Sequence, residues 1–265
     1  MAPVSRDSSV LVLAKASALL DRLAEEGEAS ASRLADLIEE PRSTVYRLLG
    51  SLQRLELVEN GSRRGTYRLG LKLFRLGSTV VTRFDERAAA LPVMERIHDD
   101  TGETVFLCVK RGFDAVCIER LDGRRVQSLA LRLGGALPLH AGAAPRVLLA
   151  FEAPEFWTEY LAARPPERLT PNTPTTREVL FPLLEETRES GFAVSDEDIT
   201  IGIAAVGAPI RDYRGDVCAA LSISGVRSAI VGDDADTIRA RVVDGAREAS
   251  RALGYAPQRQ AVADA

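Results

Sequence analysis

The run Pro41-Arg42-Ser43-Thr44-Val45-Tyr46-Arg47-Leu48-Leu49-Gly50-Ser51-Leu52 decides how the first third of the chain is read. Val45, Leu48, Leu49 and Leu52 recur at helical spacing and form a stripe that faces a core. Arg42, Ser43, Thr44 and Arg47 gather at the start of the same helix, away from most of that stripe. Small hydroxyls beside arginines at a helix start suit phosphate and base-edge contacts. The pattern is that of the second helix of a helix-turn-helix.

The flanking sequence supplies the rest of such a unit. Upstream, Val10 to Glu25 reads as a helix with Leu11, Ala14, Ala18, Leu19 and Leu23 on one face, ended by Gly27. A second helix starts near Ser30, which suits an N-cap, and carries Leu34, Leu37 and Ile38. Pro41 fits the first turn of the third helix, where a missing N–H costs nothing. Downstream, Leu57 to Leu69 holds two short β-like runs around an Asn-Gly-Ser turn, with Arg63 and Arg64 at the tip. Three helices followed by a basic hairpin make a winged helix-turn-helix over residues 8–70.

Charge supports this division. The net charge is −4, yet residues 1–84 carry 13 basic and 10 acidic side chains, while residues 85–265 carry 21 and 28. Between residues 41 and 75 eight basic residues meet two acidic ones. A basic stripe on an acidic chain is the electrostatic footprint of a polyanion partner. No apolar run approaches the roughly 20 residues of a membrane span, so no membrane partner is expected. Three widely spaced cysteines, Cys108, Cys117 and Cys218, fit a reducing cytoplasm better than a disulfide framework.

Residues 71–85 read as a helical linker, with Leu71, Leu73, Phe74 and Leu76 leading. A further helix follows through Ile97, begun or kinked by Pro92. From Gly102 the pattern changes to strands, at 104–109 and 115–120 around an Arg-Gly-Phe-Asp turn, with a third expected over 126–133. Helices are expected near 146–151, 154–162 and 177–190, strands at 191–194, 204–210 and 217–223, and a closing helix over 234–253. This describes an α+β sheet domain over residues 86–257, with 258–265 as a disordered tail.

Three segments together resemble the isocitrate lyase regulator (IclR) family of bacterial transcription factors. They are Ser43-Thr44-Val45-Tyr46-Arg47-Leu48-Leu49 with the wing ending Tyr67-Arg68-Leu69-Gly70; Leu137-Pro138-Leu139-His140-Ala141 with Gly142-Ala143-Ala144; and Gly191-Phe192-Ala193-Val194 through Gly202, Ala208-Pro209-Ile210 and Ala219 to Gly225. The likeness covers roughly residues 8–255. It implies an N-terminal winged helix, a linker helix and a C-terminal GAF-like effector domain. It also implies homodimers, paired into dimers of dimers, on palindromic operator DNA. The chain departs from the family at Glu39 and Glu40, where Gly-Leu is common, at Glu56, where Gly is common, and at Pro145-Arg146, where Gly-Lys is usual.

Arg42, Ser43, Thr44 and Arg47 are then expected at the major groove, with Thr44 and Arg47 reading base edges. Tyr46 packs or touches a phosphate, and Arg63 and Arg64 reach backbone or minor groove. The resemblance places a small-molecule effector against the sheet, held by Ala143, Ala144, Ser222 and Ser224. Val126, Leu129, Leu137, Ser195, Ile203 and Ala205 would add lining. Backbone N–H groups at a helix start, with serine hydroxyls opposite, suit an organic acid, and the small Ala144 and Ala205 leave room for an aromatic one. The expected function is a ligand-responsive repressor of a catabolic operon, without cofactor or metal.

Two readings of another class stand beside it. A small-molecule hydrolase would use Cys117 or Ser222 as nucleophile and His140 as base, although no nucleophile elbow or phosphate loop accompanies them. Alternatively the C-terminal domain serves assembly alone. A metal held by Cys108, Cys117 and His140 has no convincing zinc spacing, and a structural hydrogen-bonding role suits His140 better.

Overall fold

The computed structural model describes residues 6–81, 85–126 and 130–256. They divide into two compact units, split between residues 83 and 84.

The first unit runs α1 (Arg6–Glu26), β1 (Ala29–Ser30), α2 (Ala31–Leu37), α3 (Arg42–Arg54), β2 (Val58–Asn60), β3 (Thr66–Leu69) and α4 (Leu71–Val81). Gly27 takes a left-handed φ of 71° after α1. Ser30 caps α2, its hydroxyl accepting from the Arg33 N–H at 3.2 Å. Pro41 is the N-cap of α3 and not its first helical residue. Val45, Leu48, Leu49 and Leu52 of α3 pack with Leu19, Leu23, Leu34 and Val58 into one core. The wing is the hairpin of β2 and β3, and β1 adds a third antiparallel strand to it through Ala29 and Ser30.

The apolar face expected along the whole first helix is only half used. Leu19 and Leu23 are buried, whereas Leu11 is 57% and Leu13 70% exposed. A helix of 21 residues spans about 31 Å at 1.5 Å per residue, longer than so small a core can cover.

The second unit runs α5 (Asp85–Thr101), β4 (Thr104–Arg111), β5 (Asp114–Leu121), β6 (Ala136–Pro138), α6 (Ala143–Ala150), α7 (Pro154–Ala163), α8 (Arg177–Ser190), β7 (Ala193–Asp196), β8 (Ile203–Arg211), β9 (Val217–Val226), α9 (Arg227–Val231) and α10 (Ala235–Ala252). The six strands form one antiparallel sheet in the order β6-β5-β4-β9-β8-β7. Strand alternation splits its side chains between two cores. Val105, Leu107 and Val109 of β4 join Leu221 and Ile223 of β9 under α5 and α10. Phe106 and Cys108, with Ala220, face α6, α7 and α8. The chain is thus a winged helix-turn-helix followed by an α+β, GAF-like domain.

One strand is misplaced by the sequence reading. Within 126–133 the described residues form no strand, and the third strand on that side is Ala136–Pro138. The apolar run Ala130-Leu131 instead lies over the sheet: the Arg120 guanidinium donates to the Leu131 carbonyl and pairs with Asp122 at 2.7 Å. Residues 127–129, and the tail 258–265, lie outside the described residues.

Candidate DNA-binding face and ligand cavity

At the start of α3 the side chains of Arg42, Ser43, Tyr46 and Arg47 are exposed and Thr44 is half-buried. The stripe of Val45, Leu48 and Leu49 fixes that face by burying the opposite one. Tyr46 is 56% exposed, so it does not pack.

The two departures from glycine sit where the backbone is left-handed. Glu39, before α3, has φ 52°, and Glu56, after it, has φ 61°. A side chain there costs on the order of 1–2 kcal/mol relative to glycine's freedom. Glu40 turns to Lys15 of α1 in an ion pair of 2.7 Å.

The wing is organised by a residue that sequence reading missed. The Glu28 carboxylate, between α1 and β1, accepts from Ser62 N (2.9 Å), Ser62 Oγ (2.8 Å), Arg63 N (3.1 Å) and Thr66 Oγ1 (2.5 Å). These donors, that of Thr66 first, hold its pKa down to about 2. A Cβ on Gly61 would lie 2.5 Å from the Glu28 carboxyl carbon, so a side chain there would displace Glu28 from these donors. Arg63 and Arg64 are left exposed on the hairpin that Glu28 fastens. A lone glutamate in a turn carries no periodic signal, so nothing in the sequence singles it out.

In the second unit a small cavity opens between the sheet and the start of α6. Leu137, Ala143, Ala144, Ser195, Ile203, Ala205, Ser222 and Ser224 all line it. Leu129 lies outside the described residues. Val126 is not among the lining residues: its carbonyl accepts from Thr104 Oγ1 at 3.1 Å, in a segment that is not a strand. Phe106, Leu131, Ile199 and Pro145 line the cavity without having been expected there. Phe106 was legible in principle, since its register opposite Ser222 places it on the same face.

Two cross-strand rows form the floor. One joins Ala193, Gly207, Ser222 and Phe106; the other joins Ser195, Ala205, Ser224 and Thr104. The start of α6 rests on the first row. A Cβ on Gly207 would stand 3.0 Å from Ala144 N, so glycine permits that approach. Pro145 is the third residue of α6 and does not disturb its start, because the first N–H groups of a helix have no intrahelical acceptor. The Arg146 N–H reaches the Gly142 carbonyl at 3.1 Å. Proline does remove one potential donor, leaving the N–H groups of Ala143 and Ala144.

Behind the cavity lies a buried ion pair. Arg146 Nη1 and Asp198 Oδ2 are 3.0 Å apart, with 5% and 2% of their side chains exposed. Asp198 also accepts from Gly142 N at 3.3 Å and from the Ser195 hydroxyl, and Arg146 donates to the Val194 carbonyl. Ser224 Oγ donates to the Ala204 carbonyl at 3.2 Å.

His140 is committed elsewhere. Its Nε2 meets the Glu167 carbonyl at 2.8 Å, so Nε2 carries the proton, and Nδ1 accepts from Tyr160 OH at 2.7 Å. Burial lowers its pKa, favouring this neutral form. Both ring nitrogens being used, His140 has none left to serve as a base. Cys108 and Cys117 face each other in the sheet interior as free thiols, and the hydrogen bond to Cys117 together with burial pushes the Cys108 thiol up. Among the described residues no group of His, Cys, Asp and Glu is placed to hold a metal ion, and no helix is long and apolar enough to cross a membrane.

Comparison with known proteins bears on both units. Residues 12–61 match the IclR helix-turn-helix domain, and residues 78–251 match the bacterial transcriptional regulator IclR C-terminal domain. The chain is 33% identical over 231 residues to the HTH-type transcriptional repressor AllR of Salmonella typhimurium, covering 87% of this chain and 85% of that one. The AllR repressor of Escherichia coli K12 is 33% identical over 228 residues, covering 86% and 84%. The crystal structure of Thermotoga maritima IclR superposes with a TM-score of 0.75 at 34% identity, covering 93% of this chain and all of that one. An IclR homologue from Microbacterium hydrocarbonoxydans, complexed with 4-hydroxybenzoate, gives a TM-score of 0.78 at 27% identity, covering 91% and 98%.

Proposed function

The chain belongs to the IclR family of bacterial transcriptional regulators, and from that premise we propose that it is a repressor whose hold on operator DNA is set by a small organic acid. The observation that carries this reading is the cavity at the start of α6, lined by Ala143, Ala144, Ser222 and Ser224. Two backbone N–H groups at a helix N-terminus favour an anion.

In this reading Arg42, Ser43, Thr44 and Arg47 enter the major groove, Tyr46 meets a phosphate, and Arg63 and Arg64 follow the backbone or minor groove. α4 and the residues up to 85 link the two units. The operator is palindromic because the protein pairs. Exposed Leu11 and Leu13 on α1, and Leu71 and Phe74 on α4, give the first unit an apolar surface that a second copy would cover. Dimers of dimers are the expected full assembly.

An operator gel shift tests the scheme. Arg47→Ala weakens binding by about 1–3 kcal/mol if Arg47 pairs a guanine. An acid that releases wild-type protein from DNA fails to release the Ser222→Ala, Ser224→Ala double variant. Unchanged release in that variant would remove the effector from this cavity.

A further inference from the structure

We propose that Glu119 and Arg120 carry the state of the cavity through the sheet to the first turn of α5, with Arg87 as the residue that receives it. The proposal rests on the cavity being the effector site and adds how its filling is felt elsewhere. A β-bulge in β5 makes the connection. Cys108 pairs with Cys117 but Leu107 pairs with Glu119, so Ile118 is an extra residue on that strand. Strict alternation from Cys117, on the cavity side of the sheet, would turn Glu119 to the cavity and Arg120 away from it. The extra residue reverses the two. Arg120 comes to stand opposite Phe106, and Glu119 opposite Leu107 in the core under α5.

Each side chain is held on its own face. The Arg120 guanidinium lies 5.5 Å from the Phe106 ring centroid and donates to the Leu131 carbonyl. Phe106 and Leu131 both line the cavity. On the other face, Glu119 Oε2 pairs with Arg87 Nη2 at 2.5 Å, and its Oε1 accepts from the Arg120 N–H at 3.0 Å. One carboxylate thus ties the Arg120 main chain to α5. Only 9% of the Glu119 side chain is exposed, so leaving it without these partners is costly. Arg87 is the third residue of α5, where the helix dipole disfavours a cation. Local preference therefore does not place an arginine there; the buried Glu119 does. That first turn lies where the chain enters the second unit from the DNA-binding one. A ligand that presses on Phe106 or Leu131 shifts Arg120, and the shift reaches α5 through Glu119.

Hydrogen exchange on the full chain tests the connection without any ligand. The amides of Ala89, Ala90 and Leu91 bond back into the first turn of α5 and report on it. Arg120→Met should speed their exchange by about 3-fold or more relative to α10, and should add nothing in an Arg87→Met background. The two arginines act on opposite faces of the sheet, where unconnected substitutions would add. No effect of Arg120→Met, or an equal effect in both backgrounds, overturns the proposal, as does a rise shared equally by α10. Should either variant not fold, glutamine takes the place of methionine. Benzoate then probes the loaded cavity by calorimetry and operator gel shift. Arg87→Met should keep benzoate affinity and lose benzoate-induced release, and Arg87→Lys should regain release. Release of Arg87→Met at the benzoate concentration that releases the wild type overturns the proposal. If benzoate does not bind the wild type, the failure lies with the reading of the cavity, and the exchange cycle alone decides the connection.

Discussion

Glu39 and Glu56 bracket the helix that opened the sequence reading, and each holds a φ that glycine adopts freely. Glycine relieves the strain but adds freedom to the unfolded chain, so the two effects partly cancel. Glu39→Gly and Glu56→Gly should each still stabilise the first unit, by about 0.5–1 kcal/mol. Thermal unfolding of each variant measures this, and a lowered midpoint would show that the carboxylates repay their strain. His140 gives a second test at this scale. Its folded pKa is lowered, so the unfolded chain takes up a proton more readily. The stability it contributes is intact above the ordinary histidine value of about 6.5 and is lost as pH falls below it toward the folded pKa. Between pH 7.5 and 5.5 the urea midpoint should fall in the wild type and fall less in His140→Gln.

The wing shows how one side chain can set an element. Residues 61–65 form a tight turn whose N–H and hydroxyl groups converge on Glu28, a residue more than 30 positions earlier in the chain. Glu28→Ala removes all four acceptor contacts and should loosen the hairpin that presents Arg63 and Arg64. Operator affinity should fall, with a shallower dependence on salt, because phosphate contacts release counterions. The double variant Arg63→Ala, Arg64→Ala should show little further effect of Glu28→Ala. Full additivity would mean that Glu28 does not act through the wing. α6 shows the converse: its eight residues are all buried, so packing fixes it despite a proline in its first turn.

For the whole molecule, the exposed apolar side chains of α1 and α4 are the surface that the proposed pairing would cover. Phe74, 72% exposed, is the largest of them. Phe74→Lys should shift sedimentation toward a smaller species and weaken operator binding, while the second unit still binds its acid. Unaltered sedimentation would place the pairing surface elsewhere.

Much of the fold was legible because it rests on local periodicity. The α3 stripe, the wing and the sheet alternation each declare themselves within a dozen residues. Half of the cavity lining could be named because the resemblance carried residue positions with it. The strand expected at 126–133 failed because an apolar run has no period that separates strand from covering loop. The unexpected Leu131, Ile199 and Pro145 lie on separate segments that only the folded sheet brings together.

The sequence by itself determined two units, a basic helix start followed by a basic hairpin, and a sheet domain. Those follow from spacing, charge and composition, which act locally. Only the tertiary structure decided that Asp198 lies between Arg146 and Ser195, that Glu28 fastens the wing, and that His140 is spent on Tyr160 and Glu167. A hydrogen bond depends on distance and direction in space, and residues 20 to 40 positions apart meet only once the chain has folded.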